Sequence, residues 1–126
     1  ELLQKHRSSV RGIVHCTGGG QTKCLRFGTG VHVVKDRLFT VPAVFSLIAD
    51  EGRLAPLDMF RIFNMGHRLE VFCRPGAAAA IIDVSRRFGV DARVIGEVRA
   101  STDARRNELT IVHESKELAY SHALGG

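Results

Sequence analysis

The 126-residue chain is 44% hydrophobic and 25% charged, with a net charge of +5; this argues against disorder and suits one domain with one core. No run approaches the roughly 18–20 apolar residues that span a bilayer, and Glu1–Arg7 lacks the apolar core of a signal peptide, so no membrane partner is expected. Cys16, Cys24 and Cys73 form no C-x-x-C pair, which argues against a disulfide scaffold or structural zinc and fits a reducing, cytoplasmic setting.

In chain order, the sequence lacks an initiator Met and opens on what reads as the end of a helix, Glu1-Leu2-Leu3-Gln4-Lys5-His6-Arg7, so a piece of a longer protein is expected. Ile13-Val14-His15-Cys16 reads as a short strand entering the triplet Gly18-Gly19-Gly20. Residues 21–27 form a helical turn aimed back at the glycines, and Val31–Val34 is a buried strand of β-branched residues. Thr40 is the expected N-cap of a helix with Pro42 in its first turn; Val41, Val44, Phe45 and Ile48 supply its apolar face and Gly52 its end. Pro56 starts another short helix carrying Leu57, Phe60 and Arg61.

Leu69, Val71 and Cys73 alternate with Arg68, Glu70 and Phe72 as a half-buried strand. Pro75-Gly76 opens a helix with Ala77, Ala80, Ile81, Val84 and Phe88 on one face and Gly89 past its end. Ala92, Val94, Gly96 and Val98 alternate as the next strand, so Arg68–Val98 reads as a βαβ crossover. Ser101–Asn107 is polar loop, Glu108–Val112 a last strand, and His122-Ala123-Leu124-Gly125-Gly126 a loose tail. The expected class is α+β, a mixed sheet layered with helices, in a single domain over residues 1–126.

Three consecutive glycines cost backbone entropy and suit positive φ or close approach to a ligand. Bare backbone there can point several N–H groups at one anion, most often a phosphate. His15, at the strand end, can carry a proton or contact a substrate; its alternative is a satisfied structural histidine. Thr17 either donates to a phosphate oxygen or caps the turn, and Lys23 either reaches the anion or is solvated. The spacing of a Walker A loop is absent. In Phe63-Asn64-Met65-Gly66-His67, Asn64 offers a donor and an acceptor, and Gly66 allows a close turn; the alternative is a helix C-cap. No carboxylate pair or Cys/His cluster has metal spacing. The scattered positive charge, with one Tyr and no Trp, favours a phosphorylated small molecule over nucleic acid.

Gly12–Gly20 resembles the H-x-T-G-G-G signature of the aminoimidazole ribonucleotide (AIR) synthase family, the phosphoribosylformylglycinamidine cyclo-ligases. Val41–Phe45, Asp58–Gly66 and Val94–Val98 resemble further segments of that family in the same order, so the resemblance covers roughly residues 10–100. It is to the C-terminal half of the enzyme and implies a layered α/β domain. The N-terminal half, which carries most ATP and Mg2+ ligands and forms a homodimer, is expected elsewhere. The family's reaction phosphorylates the formyl oxygen of formylglycinamidine ribonucleotide with ATP; an amidine nitrogen then closes the imidazole ring and phosphate leaves.

Carried over by motif, His15 contacts substrate or moves a proton, and Thr17, Gly18, Gly19 and Gly20 hold phosphate. Asn64 and Gly66 shape the substrate cleft, and no metal ligand is expected here. The chain departs from the family pattern at Lys23-Cys24, where Glu-Asn is usual, and at His67-Arg68, where a second glycine and Met are usual. The rival readings are a ligand-sensing or scaffold domain that kept the fold without the chemistry, a superfamily relative using ATP on another substrate, and a nucleic-acid module.

Overall fold

The computed structural model describes residues 1–125. The chain divides into two compact units: residues 1–15 with 69–94, and residues 16–68 with the chain from Ile95 onward. Helices and a mixed sheet occur together, an α+β architecture.

The first unit contains helix α1 (Leu2–His6), strands β1 (Val10–His15) and β3 (Leu69–Cys73), and helix α4 (Ala78–Arg87), entered through a short 3-10 turn at Pro75–Ala77. β1 and β3 pair antiparallel as a two-stranded ribbon, with His15 opposite Leu69 and Val14 opposite Glu70. Its buried face carries Val10, Val14 and Glu70, so the expected inward row Leu69, Val71, Cys73 is corrected: Leu69 is exposed. α4 buries Ile81 and Val84. Its helical row ends at the C-cap, where Phe88 leaves the helical path, and this corrects Phe88 from the apolar face to an exposed position. Gly89 follows in the left-handed conformation, donating to the Arg86 carbonyl while the Val90 amide bonds the Ser85 carbonyl.

The second unit is built on a four-stranded sheet in the order β4-β2-β5-β6, from β2 (Val31–Lys35), β4 (Gly96–Ala100), β5 (Arg106–His113) and β6 (Lys116–Ala123). β2 runs parallel to β5, and the two flanking pairs are antiparallel. The expected βαβ crossover is therefore corrected: β3 and β4 lie in different sheets, and β4 turns back antiparallel on β2. The strand expected from Ala92 begins only at Gly96. Only glycine fits there, because an added Cβ would collide with the Val34 carbonyl.

Helices α2 (Ala43–Gly52) and α3 (Pro56–Ile62) and the 3-10 helix Gly20–Arg26 complete this unit. Pro42, not Thr40, occupies the N-cap of α2, and no side chain caps it; the Phe45 amide bonds the Pro42 carbonyl instead. The core of the unit is Leu25, Val33, Val34, Met59, Phe60, Leu109 and Ile111. Asn107 is fully buried and satisfied: its oxygen accepts from the Val31 amide at 3.1 Å and its NH2 donates to the Leu25 carbonyl at 2.9 Å. Of the tail expected to be loose, His122 and Ala123 instead end strand β6, paired with β5 from His113↔Lys116 to Arg106↔Ala123, and the Leu124 amide bonds the Arg105 carbonyl. Gly126, also assigned to that tail, lies outside the described residues.

Candidate functional site

The glycine turn and the Phe63–His67 segment lie side by side in the second unit. The Cys16 amide donates to the Arg68 carbonyl at 2.9 Å, which ties the start of one to the end of the other. Gly18, Gly19 and Gly20 all have positive φ, at 69°, 105° and 53°. Gly20 lies against the end of α3 so closely that a Cβ would sit 2.5 Å from the Phe63 carbonyl oxygen and 2.9 Å from that of Phe60. Next in the chain, the Gln21 side-chain Nε2 donates to the Asn64 carbonyl at 2.6 Å.

The turn's carbonyls are engaged internally. Thr17 O accepts from Lys23 Nζ at 2.9 Å, and Gly19 O accepts from Thr22 Oγ1 at 2.9 Å. The amides of Gly18 and Gly19 donate to no acceptor among the described residues, and both residues are exposed. Two unpartnered N–H groups beside two engaged carbonyls give this exposed turn donors to spare, which is what an anion requires.

Asn64 takes neither the left-handed conformation nor the cap. That geometry falls to Met65 (φ 53°) and Gly66 (φ 97°). Asn64 Oδ1 instead accepts from the Gly66 amide at 2.9 Å, an Asx turn that fixes the segment after α3. His67 is buried; its Nε2 accepts from the Phe39 amide at 3.3 Å, and its ring meets Phe39 edge-on at 5.3 Å.

Of the residues singled out in the sequence, Thr17, Gly18, Gly19, Gly20, Asn64 and Gly66 thus come together. His15 ends β1 in the first unit, with its side chain exposed. Sequence reasoning missed the residues beneath the turn. Lys35 is fully buried at the end of β2, and its Nζ donates to both the Gln21 backbone carbonyl and Gln21 Oε1 at 2.9 Å each. The signal was a lysine closing a valine-rich strand, where burial demands partners for the ammonium group. Among the described residues no cluster of three His, Cys, Asp or Glu side chains could hold a metal, and no helix is long and apolar enough to cross a membrane. A cleft of about 700 Å³ is walled by residues 36–41, α2, Met59, Met65 and His113, and none of the sequence-predicted site residues lines it.

Residues 1–107 match the family model described as AIR synthase related protein, C-terminal domain. The chain is 36% identical over 92 residues to a phosphoribosylformylglycinamidine cyclo-ligase of Methanococcus vannielii, covering 73% of this chain and 26% of that protein. It is 30% identical over 114 residues to one of Methanococcus maripaludis strain C7, covering 87% and 33%, and 33% identical over 98 residues to one of Acetivibrio thermocellus, covering 75% and 28%. The chain thus spans between a quarter and a third of the length of these curated relatives.

Proposed function

The chain belongs to the AIR synthase related family, matching its C-terminal domain, and from that premise we propose that it acts within a phosphoribosylformylglycinamidine cyclo-ligase of purine biosynthesis. The observation that carries the reading is the pairing of the open glycine turn with the Asn64 segment, in a chain whose relatives bear that name. In this reading the free amides of Gly18 and Gly19, with Thr17, hold a phosphate group of the substrate or of ATP. Gly20, Asn64 and Gly66 form the wall that keeps the turn open. His15 contacts the substrate or moves a proton. ATP supplies the phosphoryl group that turns the formyl oxygen into a leaving group; this chain's part is to orient the substrate and stabilise charge.

Mg2+ and most of the ATP contacts are assigned in this proposal to an N-terminal domain of the full-length enzyme, as the family resemblance implies. That domain is also the proposed dimer partner surface, and the cytoplasm is the proposed compartment. The test is an assay of the purified chain with formylglycinamidine ribonucleotide, ATP and Mg2+. No turnover is expected, and turnover by the chain alone would overturn the division of labour.

A second reading, a ligand-binding or scaffold domain without the chemistry, is favoured by the Asn64 side chain, whose oxygen is spent on the Gly66 amide. Complementation of a purine auxotroph by the full-length gene separates the two. Growth supports the enzyme, and failure with sound expression supports the scaffold.

A further inference from the structure

A second cleft, of about 420 Å³, opens between the 3-10 helix, α3 and β6. Thr22, Arg26, Arg61, Tyr120, Ser121 and His122 line it, and no carboxylate does. The Arg26 guanidinium and the His122 imidazole have no hydrogen-bond or ion-pair partner among the described residues. Arg61 stands 3.5 Å from Asp58 on its own helix and lies over the Tyr120 ring, 6.0 Å from its centroid. The Tyr120 hydroxyl donates to the Leu57 carbonyl at 2.8 Å, which pins the ring as one wall. Burial pushes the Tyr120 phenol up to about 12, so that wall stays neutral.

Two guanidiniums face one cleft whose lining holds no carboxylate, and Asp58 offsets only Arg61, so the positive field that remains favours a bound anion. Guanidinium forks and hydroxyl donors match the oxygens of a phosphate group. The volume exceeds a bare phosphate and falls in the range of small-ligand sites, roughly 300–1,000 Å³. We propose that this cleft binds a small phosphate monoester. Arg26 and Arg61 take the charged oxygens, Thr22 and Ser121 donate from their hydroxyls, and the organic part lies against Leu25 and the Tyr120 ring. The wall from β6 lies beyond residues 1–107, whereas Thr22, Arg26 and Arg61 fall within the family match, and the cleft shares no residue with the glycine turn on which the cyclo-ligase reading rests.

The test is titration of the chain with inorganic phosphate and with adenosine monophosphate, followed by amide chemical shifts and calorimetry. Saturable binding is expected, tighter for the monophosphate ester, with shifts centred on Thr22, Arg26, Ser121 and His122. Arg26→Gln and Arg61→Gln each weaken it about ten-fold or more, while Arg86→Gln on α4 leaves it unchanged. Ser121→Ala, at an exposed position of β6, gives the same direction of effect should an arginine variant melt early. No saturable binding of either probe would overturn the proposal, and so would an equal loss from Arg86→Gln. Affinity for oligothymidylate that grows with length and exceeds that for the monophosphate would assign the cleft to a nucleic-acid backbone and overturn the small-molecule site.

Discussion

Gly20 shows how one residue can serve packing and function at once. Its φ of 53° strains any side chain, and its Cβ position is filled by the Phe63 and Phe60 carbonyls. Gly20→Ala is therefore expected to cost about 2–4 kcal/mol in urea denaturation. Gly18→Ala, with open space around it, costs only about 1 kcal/mol from its φ. The sequence announced that side chains were unwelcome here, but an open anion cradle and a tight backbone crossing delete the same Cβ. Only coordinates assign Gly20 to the crossing and leave Gly18 and Gly19 with free amides. Tyr120 supplies a pH test at the same scale. Desolvation raises its folded pKa to about 12 from the ordinary 10.0, with Arg61 opposing. Folding thus favours the protonated phenol. Its contribution is complete below pH 10 and declines as pH rises toward 12. Chemical denaturation across that window should show the decline in the natural chain and a flatter profile in Tyr120→Phe.

Among elements, the β5–β6 hairpin is the one the sequence concealed. Its turn is Glu114-Ser115, both residues at positive φ (48° and 62°), where Asn-Gly would have announced it. β6 alternates intermediate and exposed positions and buries none fully, so its hydrophobic signal is weak. Truncation after His113 strips β5 of its partner and leaves a bare edge beside Leu109 and Ile111. Loss of cooperative unfolding and aggregation, seen by light scattering, are expected. Elements with strong local chemistry were legible: β2 from its β-branched run, α3 from Pro56 at its first position, α4 from its apolar spacing. What was not legible was pairing. The row Ala92, Val94, Gly96, Val98 looks continuous, yet the strand waits for Gly96, where the Val34 carbonyl comes close. Gly96→Ala should abolish native β4–β2 protection in hydrogen exchange. The Lys35–Gln21–Asn64 chain of hydrogen bonds was likewise invisible, because nothing local pairs residues of β2, the 3-10 helix and the α3 exit.

At the scale of the whole molecule, apolar side chains remain uncovered. Val44 and Leu47 on α2 are 55% and 60% exposed, and Ile62 at the end of α3 is 52% exposed. A face of this kind promotes association. Leu47→Glu should reduce concentration-dependent self-association in analytical ultracentrifugation while shifting stability by less than about 0.5 kcal/mol. The order of the units along the chain has a kinetic consequence. Cys16–Arg68 is threaded between the two pieces of the first unit, and the second unit in turn closes only with β5, which pairs in parallel with β2 across most of the sequence. During synthesis β1 must wait for β3, and β2 for β5, so the second unit cannot close its sheet until β5 has emerged. The parallel β2–β5 pairing, made across some seventy residues of intervening chain, is therefore the slow step expected in the folding of the second unit.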